Sequence, residues 1–414
     1  MALFCKILWN TEARGAEQNM GSTSKRSAAC GPHGFSAGAR FYITNLQNSA
    51  NTIIIYLMYK REICAGPERI IQNKKPVFGT WNTLPDKLDI SGVRAPYLAI
   101  PMPAIFTRLR IRARLIYTFS FGDYLGSIDL FDNKILNMAE ITLWNKNTNQ
   151  KYVYRRFLGI RSRLIPKKLT KAVCVSTARS RYIRIGWNHD QDRLSVKLKV
   201  KGDSLRPNVE LSFLGRFSSE ASEEVVCVKP APTMRRCSAT WYAFTPIGGR
   251  LNLTLKTGDL LESFRGDTEG FGFLFENRAY YKFITSGANI TATGIVDGKK
   301  IGFRFSMTSL DAVDTDSYND DILFVDGKTT AMPPVNITHP FGLAQKWIIQ
   351  DLESMIDLTF TPKNLLTRSL NLIAVKTDYC TIFGTIDGIL LDSAGNKIVL
   401  KDFPGIVKRS KLRL

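Results

Sequence analysis

Three histidines are the first residues to weigh for chemistry: His33, His189 and His339. A nucleophilic site needs an oriented imidazole beside its serine or cysteine. His33 stands in a Gly-, Ser- and Ala-rich stretch, His189 in the turn-like "NHDQD", and His339 before Pro340, so none is marked for that role. No G-x-S-x-G elbow occurs. "EGFGFLF", Glu269 to Phe275, lacks the third glycine and the following helix of a dinucleotide loop. The seven cysteines include no C-x-x-C pair, which argues against a structural zinc site. No catalytic motif, metal or cofactor is expected.

Carboxylates gather in "LDAVDTDSYNDD", which holds Asp311, Asp314, Asp316, Asp320 and Asp321. The segment lacks the central Gly and terminal Glu of an EF-hand loop, and a solvated loop is its plainest reading. Crowded carboxyls also raise one another's pKa, so Asp311 and Asp314 are candidates for ligand contact or proton donation.

Aromatic residues are denser in "GFGFLFENRAYYKF", Gly270 to Phe283. Phe273, Phe275, Tyr280, Tyr281 and Phe283 are candidates to line an apolar pocket, with ordinary core packing as the alternative.

The run "RLRIRARL" places Arg108, Arg110, Arg112 and Arg114 at every second position. Strict alternation on a strand puts all four on one face and Leu109, Ile111, Ala113 and Leu115 on the other. The arginines are then an anion-facing row or a solvated one. The formal charge of +21 favours anionic partners: nucleic acid, an acidic membrane surface or an anionic ligand. A basic groove with stacking aromatics would suit single-stranded nucleic acid, yet no RNP, KH or zinc-knuckle signature accompanies the charge.

The elements that must position these residues are strands. Short apolar or alternating runs recur between turn residues, among them "AEITLWN" (Ala139 to Asn145), "RYIRIGW" (Arg181 to Trp187), "LSVKLKV" (Leu194 to Val200) and "MIDLTFTP" (Met355 to Pro362). Asp297-Gly298, Asp326-Gly327 and Asp387-Gly388 are hairpin-type dipeptides. Helical periodicity is scarce. The best candidate is Arg163 to Val173, limited by Pro166. The absence of βαβ alternation argues against a nucleotide-binding α/β domain. "SIDLFDNKIL" (Ser127 to Leu136) and "DDILFVDGKT" (Asp320 to Thr329) echo each other, which two domains of one plan, or two unrelated hairpins, would produce.

A chain of 414 residues suggests more than one domain. The expectation is an all-β protein: a poorly ordered extension over 1–75, a first barrel or sandwich over 76–245 and a second over 246–414. The apolar run Thr52 to Tyr59 is far shorter than the roughly 20 residues of a membrane helix. No acidic residue occurs from Asn19 to Arg61, which loosely resembles an organellar transit peptide. An intracellular soluble protein is otherwise expected. The sequons at Asn252, Asn289 and Asn336 are no more than chance supplies.

The C-terminal third carries a family signal. "NDDILFVDGK", "IDLTFTP" and "NLIAVKTDYCTIFGTIDGILLDSAGNKIVLKDFPGI" follow in that order, after looser matches at "WNTLPDKLD", "FGDYLGSIDLFD" and "VVCVKPAPTMRRCSATWYAF". From Lys75 to Gly405 the chain resembles the domain of unknown function 2804 family. It departs from that family at "FENRAYYKFITSG", which has no Trp, and in the basic tail "VKRSKLRL". The resemblance implies a fold similar in plan to the two-domain lipocalin-like proteins that include carotenoid hydratases. Such a barrel suits an apolar ligand, so the leading expectation is a non-catalytic binder of a lipid or isoprenoid-like molecule. The alternatives are a hydratase or isomerase acting on an apolar substrate, and a nucleic-acid-binding protein.

Overall fold

A computed structural model of the chain describes residues 61–94, 96–97, 104–134, 137–158, 164–371 and 376–413; of 104–106, 268–269 and 370–371 it describes the backbone. The stretch 19–60, with its transit-like composition and the Thr52 to Tyr59 run, lies outside these residues, as does Arg163.

The described chain is almost entirely strand. Four short strands come first: β1 (Ile63–Cys64), β2 (Ile71–Gln72), β3 (Lys75–Pro76) and β4 (Gly79–Trp81). The one α-helix among the described residues, α1 (Ala104–Leu109), follows Pro103, a residue that favours the first helical turn. A four-strand meander comes next: β5 (Ile111–Phe121), β6 (Tyr124–Asp132), β7 (Asn137–Asn145) and β8 (Lys151–Leu158). Then run β9 (Lys171–Ala178), β10 (Arg181–Asn188), β11 (Arg193–Val200), β12 (Asn208–Gly215), β13 (Glu223–Lys229), β14 (Ser238–Thr254) and β15 (Leu260–Tyr280). The remaining strands are β16 (Ile284–Val296), β17 (Lys299–Thr308), β18 (Ile322–Val325), β19 (Lys328–Ala331), β20 (Asn336–Thr338), β21 (Trp347–Gln350), β22 (Ile356–Asn371), β23 (Lys376–Leu391) and β24 (Lys397–Arg413).

Apart from the small hairpin of β2 and β3, they form two curled sheets, antiparallel except where β1 pairs with β4. The first has the order β8-β7-β6-β5-β15-β14-β12-β11-β10-β9, and the second β19-β18-β17-β16-β24-β23-β22-β21-β20. The plans agree. In each, a meander runs outward from its first strand, and that first strand's other edge takes the last strand of the sheet, β15 or β24. The echoing motifs occupy different hairpins of this shared plan: β6–β7 in the first sheet, β18–β19 in the second. β14 runs unbroken through residues 245 and 246, and the chain passes to the second sheet between Tyr280 and Ile284.

Each sheet has its own core. Leu115, Tyr117 and Phe119 of β5 join Trp187, Trp241 and Leu274 in the first. Ile290, Phe303, Trp347 and Ile382 belong to the second. The other faces of the two sheets meet. Tyr242, Phe244 and Phe273 pack on Ile322 and Phe324, and Leu125 and Trp144 pack on Phe383 and Ile406. At Gly302 the sheets approach so closely that a Cβ would lie 2.6 Å from the Phe244 ring. β5, β6 and β7 are thus buried on both faces, although their sequences alternate apolar with polar residues.

Two local expectations differ from the structure. Leu164 to Thr170 form no helix, because Leu88 and Lys167 pair through the backbone and Lys171 opens β9. Residues 61–75, read as part of the extension, contain β1 and β2. Ile63 and Cys64 pair with β4, and Arg61 grips Glu353 with two hydrogen bonds of 3.0 and 2.7 Å.

Candidate functional site

A cleft of about 170 Å³ opens in the layer between the sheets. One wall comes from β5 to β8 and β13 to β15 of the first sheet, the other from β16, β17 and β22 to β24 of the second. Phe131, Phe157, Phe275 and Tyr281 supply its apolar surface. Arg114, Arg155, Lys229, Arg304 and Arg368 supply its cations. Period-2 alternation explains both sets: residues opposite the core-facing Leu and Phe of each strand all point into this layer.

Most of these cations are already matched. Arg114 binds Asp129 through Nε at 3.0 Å and Nη2 at 2.5 Å, and Lys408 from β24 reaches the same carboxylate at 3.0 Å and Ser127 Oγ at 2.8 Å. Burial alone would push the Asp129 carboxyl up, but the two cations outweigh it and hold the group ionised. Arg155 pairs with Glu140 at 3.2 Å and lies over the Tyr379 ring. The Tyr379 hydroxyl donates to Glu140 and accepts from Thr381. Lys229 donates to Asp320 at 2.6 Å and to Asp311 at 3.0 Å. Against the effect of burial, that ammonium keeps Asp320 below the usual carboxylate range. Asp321 is the opposite case. Burial, and then the charges of Asp320 and Asp311, push it well above the usual carboxylate value.

Arg304 and Arg368 are the exceptions among the described residues; Arg368 is exposed, whereas Arg304 is buried. It is 6% exposed and forms no ion pair among the described residues. Its Nη1 donates to Asn289 Oδ1 and Thr291 Oγ1, both at 2.9 Å, and its Cζ lies 4.0 Å from the Phe275 ring centroid. Its Nε has no hydrogen-bond partner. Burial pulls the guanidinium below its usual value. A buried cation without a counter-ion is costly, and a cation–π contact offsets part of that cost only.

The sequence candidates scatter around this cleft. Phe275 and Tyr281 line it, and Phe273 packs beside it between the sheets. Tyr280 points the other way, into the first core, where its hydroxyl donates to the Ile90 carbonyl at 2.6 Å. Phe283 is exposed. Asp311 does not line the cleft but binds Lys229, which does, and also accepts from Thr308 N and Oγ1. Asp314 is exposed and caps Ser317 N at 3.1 Å. The arginine row is divided. Arg108 lies in the last turn of α1 and Arg110 precedes β5, both exposed, because the strand begins only at Ile111. Arg112 and Arg114 share a strand face. Arg112 donates to the Asn133 carbonyl at 3.1 Å, and burial draws its value down to about 10. Arg304, Lys229, Arg155 and Tyr379 escaped sequence reading, since each looks like the solvated side of an ordinary strand.

Two curled antiparallel sheets, each with its own core and with a cleft between them, define a two-domain lipocalin-like all-β protein. The chain belongs to the family described as domain of unknown function DUF2804, whose model matches residues 109–414. No curated protein matches it. Among solved structures it is similar to kievitone hydratase from Nectria haematococca, at 11% identity and TM-score 0.42, covering 72% of this chain and 88% of that one. It is also similar to a protein from Nitrosomonas europaea described as a candidate AttH, at 12% identity and TM-score 0.41, covering 77% of this chain and 97% of that one. Likeness at that level carries nothing about activity. No described helix is long and apolar enough to cross a membrane.

Proposed function

We propose that the chain is a binding protein for a small amphipathic molecule, held in the cleft between the sheets. The apolar body lies among Phe131, Phe157, Phe275 and Tyr281, and a carboxylate or phosphate head meets Arg304. The observation that carries this reading is Arg304: buried, at the cleft wall, and with no ion pair and no hydrogen bond at Nε among the described residues. An anionic head supplies the missing charge, and the aromatic surface fits an acyl or isoprenoid chain. An acid–base enzyme is less well supported. Asp320 is the carboxylate lining the cleft, and its oxygens already accept from Lys229 and Thr240.

The test is displacement of a fluorescent fatty acid from the purified protein, comparing a long-chain acid with the alcohol of equal length. A charge-assisted hydrogen bond contributes about 1.5–3 kcal/mol, so Arg304→Gln is expected to weaken the acid by roughly ten- to a hundredfold and leave the alcohol nearly unchanged. Equal affinity of the wild-type protein for acid and alcohol refutes the reading.

A further inference from the structure

Away from the cleft, the outward face of the first sheet carries an unusual arrangement of charge. Cross-strand register sets Arg184 of β10 opposite Lys197 of β11, then Ser212 of β12, then Arg250 of β14 opposite Arg265 of β15. Four strand steps of about 4.8 Å make this row about 19 Å long. Lys197, Arg250 and Arg265 are exposed, and Arg184 is half-buried. Like charges directly opposite on neighbouring strands disfavour the sheet, so nothing in the fold itself calls for this row. Glu210 is the acid inside the patch, and it serves Lys199 at 3.4 Å and Arg250 at 3.6 Å. Arg184, Lys197 and Arg265 form no ion pair among the described residues.

The same face is apolar in part. Val173, Val175, Tyr182 and Leu214 are each about two-fifths exposed. Val175 lies opposite Arg184 at the end of the row, and the others lie in adjacent rows. Tyr182 is the sole aromatic on this face among the described residues. Single-stranded nucleic acid sites rely on several stacking rings beside their cations, whereas small aliphatic groups among cations suit the headgroup layer of a bilayer.

We propose that this outward face of β10, β11, β12, β14 and β15 docks on an anionic phospholipid membrane surface, with the Arg184–Lys197–Arg250–Arg265 row facing the headgroups. The contact is electrostatic, and salt screens it. It does not depend on the cleft, so it stands or falls separately from the ligand reading.

The experiment is co-sedimentation of the full chain with vesicles of phosphatidylcholine alone, and with vesicles in which part of that lipid is replaced by phosphatidylserine. Binding to the anionic vesicles alone, lost at high salt, is expected. A Lys or Arg near such a surface contributes about fivefold in affinity, so Arg184→Gln/Lys197→Gln/Arg265→Gln lowers binding on the order of a hundredfold. The charge-keeping triple Arg184→Lys/Lys197→Arg/Arg265→Lys retains it, as does the cleft variant Arg304→Gln. Equal binding to neutral vesicles, undiminished binding by the neutralised triple, or loss of binding by the charge-keeping triple overturns the proposal. Displacement from the vesicles by single-stranded RNA at equal phosphate concentration overturns it in favour of a nucleic-acid partner.

Discussion

Replacing Lys229 by methionine isolates the electrostatics behind the cleft. Lys229 has 5% of its side chain exposed, and its ammonium is the cation bonded to both Asp320 and Asp311. Methionine keeps most of the volume and removes the charge. Asp320 is then buried without its partner. Breaking a buried pair from one side costs about 3–5 kcal/mol, which at roughly 2 °C per kcal/mol in a chain this large lowers Tm by about 6–10 °C at pH 7. The pH dependence has a definite sign. In the wild-type protein the Asp320 value is depressed, so its contribution is present above the unfolded carboxylate value and lost as pH falls through the folded one. In the variant the same carboxyl is raised, and it takes up a proton as the pH falls. The gap between the two proteins therefore narrows toward about pH 4 and widens toward pH 7. Adding Asp320→Asn to Lys229→Met removes the orphaned charge and restores more than half of the loss. Thermal melts followed by tryptophan fluorescence from pH 4.5 to 8 measure all of this. A loss under about 1 kcal/mol at pH 7, or a gap that does not change with pH, refutes the reasoning.

Two further outcomes follow from the same kind of argument. Asp321 is raised by burial and by its acidic neighbours, so its burial costs more as the pH climbs above the unfolded carboxylate value. Asp321→Asn, which can still accept from Ser306 N, is expected to stabilise the protein increasingly as the pH rises above about 4, as urea titrations will show. His189 accepts burial at a cost, but its bond to Glu224 at 3.0 Å outweighs this and raises its value. The stability it lends is complete below the unfolded histidine value and is lost as pH rises through the folded one. His189→Gln should therefore cost about 1 kcal/mol at pH 6 and little at pH 8.5, measured by denaturant melts.

The strands and their core faces were legible from period-2 alternation. Leu115 of "RLRIRARL" faces the first core as that pattern requires, and the ordered motifs from Asn319 onward marked the family. The site was much less legible. Alternation says that Arg114, Asp129, Glu140 and Arg304 share the non-core side of their strands. It cannot say whether water or a second sheet covers that side. Lys408 pairs with Asp129 across 279 residues of sequence, a contact that no local pattern encodes. The aromatic stretch Gly270 to Phe283 misled for a related reason. Its strand is buried on both faces, so consecutive rings serve different cores: Phe273 and Phe275 turn toward the second sheet, Tyr280 toward the first.

β24 has a consequence for the order of assembly. It lies between β16 and β23, pairing Ile284 with Arg413 on one side and Leu391 with Lys397 on the other. It also carries Ile406 and Lys408 to the first sheet. During synthesis the first sheet can close once β15 has met β5, with everything it needs already made. The second sheet keeps two open hydrogen-bonding edges, on β16 and β23, until residue 413 has left the ribosome. In that interval the half-made protein presents the kind of unpaired strands that capture other chains, and one late strand both ends that exposure and joins the sheets.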